Sequence, residues 1–397
     1  MREWITLTEH EPVTFPREAW SDEAGTILWE QYGKQVAVEF PSPKTGHRWQ
    51  LVSRGWAGIL PLTRERGLRL LPKVPADHLF QMLAEVYGFT RFHFPEGLAE
   101  AKSLEGFADQ LVEHLARMVI HRSRKGLYRK YTEKRGRLAA IRGKWEASAD
   151  AGRSGKMSFL CRYRRLEADH EENQILAWTL YRSALGSWLG REARREARRA
   201  FHALWGEVTL RPVQPRDCEG RHYHRLNKDY EAMHTVCRLF LTHMFPGHRA
   251  GENQVVPFLI DMAALYERYV AAWLSRRLPE GYRLNVQERV RLGDGEDVHF
   301  AIDLVIRRPD GSVHSVLDTK YKRSAQPSAA DLAQVAAYAL TRKADEAILI
   351  YPMVQNHSSF YQLGDIRIRV LPFSLMGDLE ANGERLVKEL FQRESSI

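Results

Sequence analysis

Residues 316–322 read VLDTKYK. Valine, leucine, threonine and tyrosine suit a strand. Yet Asp318 and Lys320 lie two apart, so on a strand they project from one face. A carboxylate and an ammonium on a mostly apolar strand lose hydration. Either they pair with each other, or something else compensates them, such as a metal ion and a phosphate. Just upstream, VHFAIDLVIRR (298–308) reads as a strand with Asp303 as its only acid, and PDGS (309–312) is a turn signal. The two strands are therefore expected to form a hairpin that brings Asp303 near Asp318 and Lys320.

Two carboxylates held close repel unless a divalent cation neutralises both. Hard oxygen ligands favour Mg²⁺ or Mn²⁺. Such a cation would bind a scissile phosphate and lower the pKa of an attacking water, with Lys320 orienting or deprotonating that water or stabilising charge on the phosphate. Two helices supply the rest. Glu267, in DMAALYERYVAAW (261–273), offers a third carboxylate, so Glu267, Asp303 and Asp318 form the candidate metal set. Gln334 and Tyr338 share a face of SAADLAQVAAYALTRK (328–343), where Ser328 and Asp331 make a capping box. There they can hold the catalytic lysine or contact the phosphate backbone. Each residue alone has a bland reading: a surface ion pair, an edge acid, the polar side of a helix. The ordered set of helix with Glu, strand with Asp, hairpin, D-x-K and helix with Q-x-x-x-Y is what carries the chemistry.

The rest of the chain sets bounds. Its 397 residues allow two or three domains, and 44% hydrophobic content supports packed cores. Three cysteines, Cys161, Cys218 and Cys237, argue against a disulfide framework or a cysteine zinc site. No secretory leader and no apolar run of about 18 residues is read, so a cytoplasmic protein without a membrane span is expected. The net charge is +9, and residues 101–250 hold 30 Lys and Arg against 17 Asp and Glu, so the middle third carries the whole basic excess. A solvated helical surface, a polyanion and an acidic partner all remain open as its explanation.

Local patterns divide the chain into three regions. Residues 1–95 read as a small β-rich domain. Residues 96–249 read as a basic, mostly helical region suited to partner docking. Residues 250–397 read as an α/β domain containing the hairpin. The expected class is multidomain α+β.

The order of the acid set resembles the PD-(D/E)xK nuclease core, in the branch with a Q-x-x-x-Y helix. Asp303 matches its first acid, Asp318 its second and Lys320 its lysine, while Ile302 stands where the motif name has proline. Further blocks are similar to the McrC family, the nuclease subunit of the McrBC modified-cytosine (5-methylcytosine) restriction system. They are GLRLLPKVPADHLFQMLAEVYG (67–88), GLYRKYTEKRGRLAAIRGKW (126–145), FLCRYRRLEADHEENQIL (159–176), DMAALYERYV (261–270) and LDTKYK (317–322). The resemblance implies a restriction-endonuclease-like C-terminal domain, a middle stalk, and docking on a hexameric AAA+ GTPase, McrB, that the stalk stimulates. It implies cleavage of double-stranded DNA on translocation; one active site per strand leaves open a pairing of two nuclease subunits through assembled complexes. Arg142 and Lys144, at the family's R-G-K/R element, are the candidate partner-contacting and GTPase-stimulating residues. No nucleotide site of its own is expected: in GRSGKMS (152–158) the phosphate-loop spacing fails, since Asp150 stands where the first glycine is needed. The competing readings are a stand-alone RecB-like or antiphage nuclease with a different motor, and a catalytically inactive DNA-binding adaptor.

Overall fold

The computed structural model describes residues 3–63, 65–89, 103–147, 158–244, 249–250, 253–254, 256–291, 299–322, 326–344, 346–352 and 359–392. The GRSGKMS segment, apart from Ser158, lies outside them. The chain is a multidomain α+β protein with two compact units, Met1–Leu104 with Leu259–Ile397, and Glu105–Phe258. The first unit thus takes in both chain ends and the second takes in the middle.

In chain order the N-terminal part holds β1 (Glu3–Thr8), β2 (Val13–Pro16), α1 (Asp22–Tyr32), β3 (Val36–Glu39), β4 (Arg48–Ser53), β5 (Trp56–Pro61), β6 (Arg66–Leu71) and α2 (Ala76–Tyr87). Most of these elements are strands, and Ser21 caps α1 by accepting from the Ala24 amide. The middle unit holds α3 (Leu104–Lys125), β7 (Lys130–Leu138), β8 (Lys144–Trp145), β9 (Phe159–Glu167), α4 (Glu171–Leu185), α5 (Arg191–His202), α6 (Tyr230–His243) and the short pair β10 (Arg249–Ala250) and β11 (Asn253–Gln254). The remainder holds β12 (Phe258–Asp261), α7 (Met262–Arg277), β13 (Arg283–Arg291), β14 (His299–Arg307), β15 (Val313–Thr319), α8 (Ala329–Arg342), β16 (Glu346–Tyr351), β17 (Ser359–Leu363), β18 (Ile366–Pro372) and α9 (Leu379–Phe391). Among the described residues no helix is long and apolar enough to cross a membrane.

Two sequence expectations need correction. The middle region is not uniformly helical. The amphipathic pattern of α3 stops at Lys125, Gly126 takes φ +94°, and the chain becomes a three-stranded sheet in the order β7-β9-β8. A glycine that enters the left-handed region ends a helix at little cost. Second, VPFLIDMAALYERYVAAWLSRRL (256–278) reads by its apolar spacing as one amphipathic helix, and it is not one. Phe258–Asp261 is a strand, and Asp261 caps α7 by accepting from the amides of Ala263 and Ala264.

The element that matters for chemistry is the six-stranded sheet in the order β13-β14-β15-β16-β18-β17. Strands β13, β14 and β15 run antiparallel, whereas β15, β16 and β18 run parallel. A parallel pair needs a crossover, and α8 supplies it between β15 and β16. The central strands are buried along their length, as in EAILIY of β16. Val305, Val316, Leu349, Ile368 and Val370 pack with Val335, Ala336, Tyr338 and Ala339 of α8 in one core. By the two-residue period, Asp303 shares the face of Val305, and Asp318 that of Val316. Both carboxylates therefore point to the side of the sheet that α8 covers.

Candidate active site

The hairpin register ends at Val305↔Val316 and Leu304↔Leu317. One step further, Asp303 and Asp318 stand opposite each other. There the strands part: β15 ends at Thr319, whose amide donates to Asp303 Oδ2 at 3.1 Å, and its hydroxyl reaches the same oxygen at 3.3 Å. Asp318 is 1% exposed. Its Oδ2 lies 2.7 Å from Lys320 Nζ, yet no hydrogen-bond donor is aligned on that oxygen, so the contact is an ion pair rather than a directed bond.

From Lys320 a chain of contacts runs into α8. Lys320 Nζ donates to Gln334 Oε1 at 3.0 Å, and Gln334 Nε2 donates to Tyr338 Oη at 2.6 Å. The helix is fixed by its own N-terminus. Ser328 and Asp331 form the capping box, Lys322 Nζ contacts both Asp331 oxygens at 2.8 and 2.7 Å, and Tyr351 Oη donates to Oδ2. Burial works against the Asp331 carboxylate, but Lys322 and Ser328 outweigh it and hold it down to about 2. Lys322 thus ties the strand exit to the helix that carries Gln334.

The electrostatics follow from this packing. Burial, then the adjacent Asp303, push Asp318 up to about 6 against the pull of Lys320. Burial also raises Asp303, against donation from Thr319, the charge of Lys320 and the amide of Gln287. Burial and then Asp303 raise Glu267, opposed by Gln287. For Lys320 burial alone would lower the ammonium; the contact with Asp318 outweighs it and leaves the group above its ordinary value. Lys320 is therefore held as a cation. Without a cation between them, two acids and a third nearby all sit above the usual carboxylate range. This is the signature of like charges crowded in low dielectric.

Of the sequence-derived set, Asp303, Asp318, Lys320, Gln334 and Tyr338 form one continuous cluster. Glu267, on α7, is close enough to Asp303 to be raised by it, but its Oε1 is engaged by Gln287 Nε2. Among the described residues no three His, Cys, Asp or Glu side chains stand close enough to cage a metal ion unaided. The buried, unaligned Asp318 oxygen beside Asp303 still fits a hard divalent cation of the Mg²⁺ type, which takes one or two carboxylates and completes its shell with water and phosphate oxygens. Sequence reading missed Thr319, Gln287 and Asp331 as parts of the site. Thr319 lies inside D-T-K and could have been suspected; a glutamine in YRLNVQERVRL carries no sequence signal.

Arg142 and Lys144 belong to the other unit, at the turn that joins β7 to β8. Arg142 sets its guanidinium 5.2 Å from the centre of the Tyr163 ring, and Lys144 pairs with Arg162 across β8 and β9. Both are exposed. Arg135 and Arg162 converge on Glu146 at 2.8 and 3.0 Å and hold that carboxylate low. Between the two candidate residues, Gly143 has φ +70°, and a Cβ there would lie 2.4 Å from the Arg162 carbonyl oxygen and 2.9 Å from Tyr163 Cα. The turn thus has two independent reasons to need glycine. Gly143→Ala is expected to cost about 1–2 kcal/mol from the backbone alone, with the clash added. Hydrogen exchange should then quicken across residues 130–145 and 159–167; unchanged protection there would refute the close approach.

The family model for the McrBC 5-methylcytosine restriction system component matches residues 51–352. The chain belongs to this family. The match spans all eight candidate residues, from Arg142 and Lys144 to Tyr338. No curated protein matches the chain in sequence. Among solved structures, one chain from the refined half-complex of the tetradecameric assembly of Thermococcus gammatolerans McrB AAA+ hexamers with bound McrC is similar in fold. It has a TM-score of 0.60 at 18% identity, covering 98% of this chain and 100% of that chain. A chain from the cryo-EM structure of the Thermococcus gammatolerans McrBC complex has a TM-score of 0.46 at 19% identity, over 69% of this chain and 88% of that one. The McrBC family is thus a restriction-system family, and the acid cluster and the glycine-pinned basic turn are two features to be explained within it.

Proposed function

We propose that this chain is the nuclease subunit of an McrBC-type restriction system, a metal-dependent DNA endonuclease of the PD-(D/E)xK kind. It docks on a hexameric AAA+ GTPase, as McrC is bound to McrB AAA+ hexamers in the Thermococcus gammatolerans assembly. The observation that carries the reading is the placement of Asp303 and Asp318 side by side at the end of a hairpin, with Lys320 Nζ 2.7 Å from Asp318.

A bound Mg²⁺ or Mn²⁺ would neutralise the paired acids and polarise a phosphodiester and its attacking water. The chain's own residues do the positioning. Asp303, steadied by Thr319, and Asp318 would hold the cation. Lys320, kept protonated, suits charge stabilisation on the phosphate or orientation of a water rather than proton abstraction. Gln334 and Tyr338 aim Lys320 by accepting and relaying its hydrogen bond, so they are positioning residues. The exposed turn with Arg142 and Lys144 is the part of the middle unit we assign to partner contact and GTPase stimulation. DNA bearing modified cytosine is the substrate class that membership of this family supports.

The test is plasmid cleavage by the purified chain with Mg²⁺, alone and with the AAA+ protein of a neighbouring gene plus GTP or ATP. Cleavage is expected only with partner and nucleotide, on cytosine-methylated plasmid, and is expected to fall about 10²–10³-fold in Lys320→Ala. Arg142→Ala with Lys144→Ala should lower partner GTPase turnover while leaving the acid site intact. Cleavage by the chain alone would favour a stand-alone nuclease. Wild-type activity in Lys320→Ala would overturn the site.

A further inference from the structure

Gln287 is a backbone outlier at an informative place. It lies within β13, between the registered pairs Val286↔Leu304 and Glu288↔Ile302, and so opposite Asp303, yet its φ is +52°. A non-glycine residue in the left-handed region is costly in a strand and persists where its surroundings over-determine it. The surroundings here are polar and specific. Gln287 Nε2 donates to Glu267 Oε1, and the strand register sets Gln287 opposite Asp303. Its neighbour Glu288 is anchored separately, by Arg307 at 3.0 Å and by Arg342 at 2.5 Å. The strand is thus pinned on one side of Gln287, while the amide is turned toward the two acids.

An amide NH₂ donating to one carboxylate of an acid cluster does part of what a cation would do there, with a fraction of the charge. A side-chain amide can also reverse this role: turned over about its last bond, it presents Oε1 instead of Nε2. An oxygen facing Glu267 and Asp303 is repelled when the acids stand alone and favoured when a hard cation lies among them. We propose that Gln287 is a fourth side chain of the cation site. Its NH₂ holds Glu267 beside Asp303, and its carbonyl oxygen would serve a bound cation or its water shell. This inference rests on the nuclease reading above and names a residue that reading does not need.

The test is Mn²⁺ binding to the full-length chain, followed by the loss of the free-ion electron paramagnetic resonance signal. Three variants are compared with wild type. Gln287→Gly keeps the left-handed backbone, relieves its strain and deletes the amide. Gln287→Glu replaces the donor by a further carboxylate. Asp318→Ala tests the acid pair itself. The expected results are a Kd for Mn²⁺ weakened about tenfold in Gln287→Gly, in the range seen when groups supporting a metal site are removed, without a loss of melting temperature. Gln287→Glu should melt lower than wild type without metal and recover with Mn²⁺, because only a cation can offset the added repulsion. Unchanged Mn²⁺ affinity in Gln287→Gly, with binding lost in Asp318→Ala, would overturn the role of Gln287 and leave the nuclease site standing. No Mn²⁺ binding by wild type, or equal binding by Asp318→Ala, would overturn both.

Discussion

Asp318→Asn is expected to abolish cleavage and, in the metal-free protein at neutral pH, to raise the melting temperature. The two effects have one cause. The acid is buried beside Asp303, and its carboxyl is pushed from the ordinary 3.8 to about 6. A carboxyl with a folded-state pKa above its unfolded value costs the fold nothing below pH 3.8. The cost builds between pH 3.8 and about 6, and it is present in full above that. A shift of this size corresponds to about 3 kcal/mol. The pull of Lys320 is already contained in that shift; part of the gain is offset by the burial of the asparagine amide itself. A net gain of about 1–2 kcal/mol remains, or a rise of roughly 2–8 °C in a unit of this size. The gap between variant and wild type should therefore close as the pH falls toward 4, and Mg²⁺ should narrow it at neutral pH by stabilising wild type alone. Cleavage should drop by at least about 10³-fold. A variant that melts lower than wild type across the whole pH range would mean that the Asp318–Lys320 pair is held for stability, and the site would lose its main support.

The second large effect lies in the middle unit, at Asn173. This residue is fully buried at the start of α4. Its Nδ2 donates to the carbonyl oxygens of Tyr128 at 2.9 Å and Ala168 at 2.7 Å, and its Oδ1 accepts from Tyr230 Oη at 2.6 Å. Tyr230 Oη in turn accepts from the Tyr128 amide. Around it, His170 contacts Glu172 at 2.8 Å, and His234 bonds the Glu172 carbonyl and Tyr223 Oη, each at 2.9 Å. Burial pushes His234 down to about 4, so it sits there as a neutral ring. One asparagine thus joins the strand entry at Tyr128, the end of β9, and helices α4 and α6. Asn173→Ala removes three buried hydrogen bonds; the Tyr128 and Ala168 carbonyls keep His170 as a partner, but the Tyr230 hydroxyl proton loses its acceptor, so this unit should be destabilised by about 1–3 kcal/mol. Urea unfolding of the full chain followed by hydrogen exchange should show early loss of residues 128–240, with Mn²⁺ binding retained. An unchanged midpoint would show that the network is dispensable. The block that resembles the McrC family in sequence, FLCRYRRLEADHEENQIL, thus owes part of its pattern to packing.

Much of the candidate site was legible from spacing. D-x-K on a strand, a second acid on its hairpin partner and Q-x-x-x-Y on the following helix each follow from the period of two or of 3.6. Any chain with those periods brings such residues onto one face. Glu267 was legible as a helix acid but not as one held by an amide. The α7 start was misread because an apolar run looks the same in a short buried strand as in a helix, and only the Asp261 cap separates them. The middle region was misread for a related reason: in β7 and β9 only half of the residues leave the surface and several are basic, so the alternation that marks a half-buried strand is weak.

By itself, then, the sequence determined which residue types share a face: Asp303 with Val305, Asp318 with Lys320, Gln334 with Tyr338. These are local consequences of backbone geometry. Tertiary structure alone decided that Asp303 and Asp318 stand opposite each other, that Lys320 reaches Gln334, and that Gln287 turns into the acids with a left-handed backbone. Strand register, helix crossover and burial set those contacts across tens of residues, and they also set the charge state of each acid. Burial, which no local pattern encodes, raises Asp318 to about 6 beside a second raised carboxylate, Asp303.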